Sequence, residues 1–237
     1  MKILALDSTA AVCSVAICED NKLISQITIN TGNTHSETLL PAVEEALRLA
    51  ELNVNDIDMY ACSVGPGSFT GVRIGVATIK GLAYGKNKPC VAVSTLYALA
   101  KNLSGINGTI CPVMNARRNQ VYNALFSCEN GSLTRLCPDR TISIAELDAE
   151  LASMPSPVYL CGDGYDITLK GSTKTQFGYT FEQSRLQSAY SVALCALEKY
   201  NLGEHVSDKT LAPVYLRPSQ AERERLERIK NESKENN

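Results

Sequence analysis

The chain has 237 residues, with 23 basic and 25 acidic side chains and a formal charge of −2; that is enough for one large or two small domains with a substantial core, and it lacks the basic excess of a polyanion-binding protein. Its nine cysteines are scattered, odd in number and free of CxxC pairs, and His35 and His205 are the two histidines, which argues against a disulfide framework and against a site of clustered histidines. No apolar run approaches the roughly eighteen residues of a membrane span, and MKILALDST does not read as a signal peptide, so a cytoplasmic protein without membrane contact is expected.

Ile3 to Leu6 is a continuous apolar run that reads as a central strand ending in Asp7-Ser8-Thr9. Val12 to Cys18 and Leu23 to Ile29 read as two further strands joined by a turn at Glu19-Asp20-Asn21. Thr34 with Glu37 predicts a capping box, opening a helix with the apolar stripe Leu39, Leu40, Val43 and Leu47 and with Pro41 inside it. Met59 to Val64 predicts a short buried strand, Gly65-Pro66-Gly67-Ser68 a tight turn, and Phe69 to Tyr84 a helix with apolar residues every three or four positions. A strand at Cys90 to Val93 and a helix from Thr95 follow.

The glycine turn invites a phosphate-binding reading, because glycines admit a ligand close to backbone N–H groups and a helix N-terminus attracts anions. Two specific motifs fail: Gly71 is followed by Val72-Arg73, not the Lys-Ser/Thr of a Walker loop, and the glycine spacing is not GxGxxG. A plain strand-to-helix turn explains the spacing equally well. Gly71 and Gly75, four apart within the helix, would form a flat face for close packing, against this chain's own core or against a partner.

Ile110 to Met114 and Val121 to Phe126 read as strands, and Asn130-Gly131 as a hairpin turn into Leu133 to Cys137. Ser143 and Glu146 cap a helix through Leu151, Val158 to Cys161 is a strand ending in Gly162-Asp163-Gly164, and Leu186 to Tyr200 is an amphipathic helix stopped by Gly203. This repeats the first order and points to a duplicated α/β fold, divided near Ser104 to Gly108 into 1–107 and 108–217, with the last helix packing back on the first half. Residues 218–237 read as a charged tail, helical and then disordered.

An acid closing the first strand, a hairpin, and then strand–GPG–helix resemble the superfamily of acetate and sugar kinases, chaperone ATPases and actin. Within it, LALDSTAAVCSVAI, THSETLLPAVEEAL and SVGPGSFTGVRIGVATIKGLAYGKNKPCVAVSTL, with weaker matches at MNARRNQVY and APVYLRPSQAE, resemble the bacterial TsaB (YeaZ) family of tRNA threonylcarbamoyladenosine biosynthesis. Asn115 and Gln120 depart from that pattern, standing where acids are expected. The resemblance implies two ribonuclease-H-like subdomains, the second reduced. It implies a heterodimer with a larger catalytic paralogue, TsaD, which transfers threonylcarbamoyl to the adenosine beside the anticodon, with a small ATPase, TsaE, joining them. A homodimer is implied for the chain alone, and tRNA contact only through the complex.

The paralogue's His-x-Glu-Ala-His metal motif falls at Ser94 to Leu99, with Thr95 and Leu99 in the histidine places, and leucine binds no metal. The paralogue's adenosine glycines fall at Gly162-Asp163-Gly164, where Asp163 repels phosphates. The expectation is therefore a non-catalytic partner with no catalytic residue, no metal and no cofactor of its own. Its partner face is expected to be Leu39, Val43, Leu47, Gly71 and Gly75. ATP or ADP is expected only at an interface shared within the complex, with Asp7, Ser8, Thr9, Gly65, Gly67, Ser68 and Arg73 as candidate contacts. Asp7 either holds a metal through water or accepts turn N–H bonds, and the turn role is favoured without a second acid nearby. His35 is read as bonding nearby backbone. The rival readings are a metal-dependent peptidase, for which the two histidines stand 170 positions apart, a ribonuclease-H-like nuclease, which needs carboxylates at several strand ends where the fourth strand ends in Val64-Gly65, and a small-molecule kinase, which needs an intact second nucleotide half.

Overall fold

The apolar run after Met1 becomes the centre of the first sheet. In a computed structural model that describes residues 1–155 and 157–217, the elements of the first half are β1 (Lys2–Asp7), β2 (Cys13–Glu19), β3 (Lys22–Ile29), α1 (His35–Leu49), β4 (Met59–Ser63), α2 (Phe69–Ala83), β5 (Cys90–Val93) and α3 (Thr95–Lys101). The sheet order is β3-β2-β1-β4-β5, antiparallel across β3, β2 and β1 and parallel across β1, β4 and β5. Both faces of β1 are covered, which is why its sequence is apolar without alternation. Leu4 and Leu6 face a core with Leu39, Val43 and Leu47 of α1 and Val72, Val76 and Ile79 of α2. Ile3 and Ala5 face the other way.

The second half repeats the plan with shorter pieces. Its elements are β6 (Gly108–Asn115), β7 (Gln120–Asn123), β8 (Phe126–Glu129), β9 (Ser132–Arg135), β10 (Arg140–Ser143), α4 (Ile144–Leu151), β11 (Val158–Cys161), α5 (Tyr165–Gly171), β12 (Phe177–Gly178), α6 (Glu182–Arg185) and α7 (Ala189–Asn201). The path is β10-β7-β6-β11-β12, with β8 pairing β6 and β9. Here too antiparallel strands precede a strand, β11, that runs parallel to the first, β6. The expectation of two ribonuclease-H-like subdomains, the second reduced, is met: β12 has two residues and α5 seven.

α7 leaves the second sheet and returns to the first. Its Ala189, Val192, Ala193 and Ala196 pack on Ala5, Ala16 and Ala61, so small side chains on both sides bring helix and sheet close. The division at 107/108 falls between α3 and β6, while α7 and the segment after it lie against the first sheet. The tail expected over 218–237 lies outside the described residues. Among the described residues, no helix is long and apolar enough to cross a membrane.

Several local expectations need correction. Thr34 is the N-cap of α1 but makes no side-chain cap bond, its hydroxyl instead lying 3.0 Å from that of Ser36. The strand expected over Val121 to Phe126 breaks at Ala124-Leu125 and becomes β7 and β8, because β6 pairs with each of them at a different end. The helix expected from Leu186 starts at Ala189. β10, α5, β12 and α6 escaped the periodicity reading, since two to seven residues are too short to show a period. The Ser143–Glu146 box is present with both of its bonds.

Candidate functional site

A cleft of about 660 Å³ opens between the halves, over the C-terminal ends of β1, β4 and β6. One wall is the β1 turn and the start of α2, contributed by Thr9, Gly67, Ser68 and Arg73; the other includes Arg117, Asp163 and Arg217. Three guanidinium groups thus share the cleft with one carboxylate.

The β1 turn is held from within. Asp7 is buried, and its Oδ1 accepts from Thr9 N at 2.9 Å and Thr9 Oγ1 at 2.7 Å, while Oδ2 accepts from Ser63 Oγ at 2.5 Å. Desolvation pushes the Asp7 carboxyl up from its ordinary value, and the bonds from Ser63 and Thr9 pull it part of the way back. Oδ1 therefore serves the turn, the role favoured from sequence, while Oδ2 ties β1 to the end of β4. Ser8 is also buried, its hydroxyl donating to Gly71 O at 2.9 Å. His35 spans from α1 to the same turn, with Nε2 donating to Ala10 O at 2.6 Å, and among the described residues its buried Nδ1 has no partner.

The glycines of α2 face this turn, not the exterior. A Cβ on Gly71 would collide with Ser8 O, and one on Gly75 would come within 2.5 Å of Ser8 Oγ and 3.1 Å of Leu6 Cδ1. The expected outward glycine face is corrected accordingly: Gly71 and Gly75 let α2 approach β1 of their own chain. Leu39, Val43 and Leu47 are likewise buried in the first core, at 1, 1 and 9 % exposure. α1 and α2 lie side by side, and what they turn outward is Leu40, Glu44, Arg48, Arg73 and Ala77.

Of the seven candidate nucleotide contacts, Thr9, Gly67, Ser68 and Arg73 line the cleft. Asp7 and Ser8 are sealed behind the turn. Gly65 sits under Val214 O at φ 119, a backbone value open to glycine that leaves no space for a side chain. Ser68 caps α2, accepting from Gly71 N at 3.3 Å. Arg73 donates from Nε to the Tyr215 hydroxyl at 2.7 Å, and Tyr215 stacks on Phe69 with ring centroids 4.7 Å apart.

Of the far wall, the sequence singled out Asn115 and Asp163 but gave no sign of Arg217. Arg117, Arg118 and Asn119 have consecutive left-handed φ values of 63, 54 and 56°, each costing a non-glycine residue roughly 1–2 kcal/mol. Arg117 N donates to Asn115 Oδ1 at 2.8 Å, so the asparagine that departs from the family pattern holds this turn. Arg217 Nη1 donates to Ala116 O at 3.0 Å. Asp163 accepts from Asn115 N at 3.4 Å, and desolvation at the cleft wall pushes its carboxyl up to about 6.

The guanidinium groups and the N-terminus of α2 give this cleft the means to attract an anion. The acid near Asp163, Asp7, is buried and accepts from Thr9 and Ser63. Thr95 and Leu99 are 0 and 1 % exposed and lie in the core. Among the described residues, no three His, Cys, Asp or Glu side chains come together as a metal set. None of the nine cysteines is in a disulfide; burial pushes Cys18 up to about 12 and Cys90 to about 11, which leaves them thiols at neutral pH.

Residues 22–222 match a family model described as TsaD, tRNA N6-adenosine threonylcarbamoyltransferase. The chain is similar to the tRNA threonylcarbamoyladenosine biosynthesis protein TsaB of Bacillus subtilis, at 35 % identity over 162 residues, 68 % of this chain and 71 % of that protein. It is similar to the same-named protein of a Buchnera aphidicola strain, at 27 % identity over 220 residues, 90 % of this chain and 97 % of that one. Among solved structures it is similar to YeaZ from Pseudomonas aeruginosa, with a TM-score of 0.76 and 25 % identity, covering 91 % of this chain and 99 % of the other. A component of (R)-2-hydroxyglutaryl-CoA dehydratase from Acidaminococcus fermentans shares the fold, with a TM-score of 0.50, 13 % identity and coverage of 85 and 99 %.

Proposed function

The chain belongs to the TsaB family of tRNA threonylcarbamoyladenosine biosynthesis proteins, and we propose that it serves there as a partner protein and not as the transferase. It binds a larger TsaD-like paralogue, and a TsaE-like ATPase joins the pair. Together they support threonylcarbamoyl transfer to the adenosine beside the anticodon, in the cytoplasm. Alone it pairs with a second copy, and tRNA meets it only through the complex.

One observation carries this reading. Thr95 and Leu99, where the resemblance places the paralogue's metal-binding histidines, are sealed in the core at 0 and 1 % exposure, so Leu99 offers no ligand atom and the lone Thr95 hydroxyl is closed off from the cleft. The outward faces of α1 and α2, bearing Leu40, Glu44, Arg48 and Arg73, form the partner surface in this reading. The cleft takes the phosphates of ATP or ADP at an interface shared with the partner, using Arg73, Ser68 and the α2 N-terminus, where N–H groups and the helix dipole favour negative charge.

The test is reconstitution of threonylcarbamoyl transfer from purified components. The chain alone is expected to transfer nothing and to turn over no ATP, and its addition to the paralogue and the ATPase is expected to raise transfer by orders of magnitude. Transfer or peptide hydrolysis by the chain alone, at a rate matching the mixture, would overturn the reading.

A further inference from the structure

After α7 the chain becomes a strap. Val206 pairs with Cys90 at the outer edge of β5 through two backbone bonds of 2.8 Å. The strap then runs along α2 toward the helix N-terminus. Lys80 Nζ donates to the carbonyls of Lys209 and Leu211 at 3.1 Å, Leu211 is buried in the first core, and Val214 N donates to Val64 O at 2.8 Å. Tyr215 stacks on Phe69 and accepts from Arg73. Phe69, Arg73 and Lys80 fall on one stripe of α2, four and seven residues apart. Only at its end does the strap reach the second half, where Leu216 packs against the core under β6 and Arg217 donates to Ala116 O.

Ala116 opens the strained turn Arg117-Arg118-Asn119 that overhangs the cleft. Non-glycine residues hold such a conformation only when their surroundings fix it. We propose that residues 206–217 act as a latch: their grip on the outer stripe of α2 sets the position of this turn, so that loosening or covering the stripe opens the cleft. Tyr215 and Arg217 are two residues apart, a reach of about 7 Å, so a displacement at the Arg73 contact passes to Ala116 with little slack. The grip is open to competition, because Arg73 is exposed and Tyr215 is 42 % exposed. The first half is shaped to receive the strap, Gly65 lacking a side chain where Val214 O rests. Nothing in this depends on what the cleft binds.

The test is amide hydrogen exchange at Ala116 and Gln120 in the full chain. Tyr215→Phe removes one hydroxyl and keeps the ring stack; Arg73→Gln removes the other partner of that bond. Each is expected to speed exchange at the turn by about fivefold or more, the lower range of coupling between sites, while β1 and β2 exchange as before. Arg217→Ala is expected to do the same, and Arg73→Gln with Arg217→Ala to do no more than either alone. If Arg217→Ala loosens the turn but Tyr215→Phe and Arg73→Gln leave it unchanged, the two ends are independent and the latch is wrong. Faster exchange at the turn and in β1 and β2 by one common factor would equally overturn it, since that reports global destabilisation.

Discussion

Replacing Gly71 by alanine tests which way α2 faces. The new Cβ would strike Ser8 O and lie 3.2 Å from His35 Cδ2. Ser8 O is backbone in a buried turn pinned by Asp7, and His35 is tied to Ala10, so neither yields easily. Overpacking of this kind costs about 1–3 kcal/mol or more, and a rigid backbone neighbour places it at the upper end. Alanine returns about 1 kcal/mol of helix propensity relative to glycine. The net is a loss of about 2 kcal/mol, which for a chain of this size lowers the thermal midpoint by about 4–8 °C. Gly81 provides the control within the same helix: it is exposed, and a Cβ there meets nothing within 4 Å. Gly81→Ala should gain about 1 kcal/mol and raise the midpoint by about 2–4 °C. Circular dichroism melts of the three proteins decide it. A Gly71→Ala protein as stable as the parent, or raised together with Gly81→Ala, would refute the inward packing and restore an outward glycine face.

Asp7→Ala should cost about 2–4 kcal/mol by stranding the Thr9 and Ser63 donors, and Asp7→Asn much less; urea unfolding that finds Asp7→Ala as stable as the parent would remove the turn-clamp role. Folding raises the Asp163 pKa from 3.8 to about 6, so its contribution to stability is complete below the lower value and is lost as pH rises through the upper one. Asp163→Asn should therefore gain stability above pH 6 relative to pH 4, by at most about 1 kcal/mol once solvent screening of this exposed group is counted, and melts at the two pH values that move in parallel would contradict this. The same ionisation should weaken ATP binding to the complex with the paralogue between pH 5.5 and 7.5, and calorimetry on that complex carrying Asp163→Asn should find the dependence flattened. Leu40→Glu, on the outward face of α1, should weaken association with the paralogue by about tenfold or more, roughly 1.4 kcal/mol, and leave the chain's own melt unchanged; equal affinity by calorimetry would move the partner surface elsewhere.

What the sequence by itself determined was local. The apolar run of β1, the threes and fours of α1 and α2, the Gly-Pro-Gly turn and the Ser143–Glu146 cap each arise within about fifteen residues: burial of both faces leaves β1 continuously apolar, burial of one face gives the helices their period, and the turn and cap follow from the residue types themselves. The placing of Thr95 and Leu99 at the paralogue's histidine positions came from the family resemblance, not from spacing. Only the tertiary structure decided which surface each element meets. Gly71 reads as outward or inward from its own helix alike, and the answer lies in Ser8, 63 positions earlier. The bond from Arg73 to Tyr215 joins residues 142 apart, and the one from Arg217 to Ala116 joins residues 101 apart, so both depend on the return of the chain across the cleft. Periodicity records how much of an element is buried; the partner that buries it is set by packing between distant segments, which leaves no mark on local spacing.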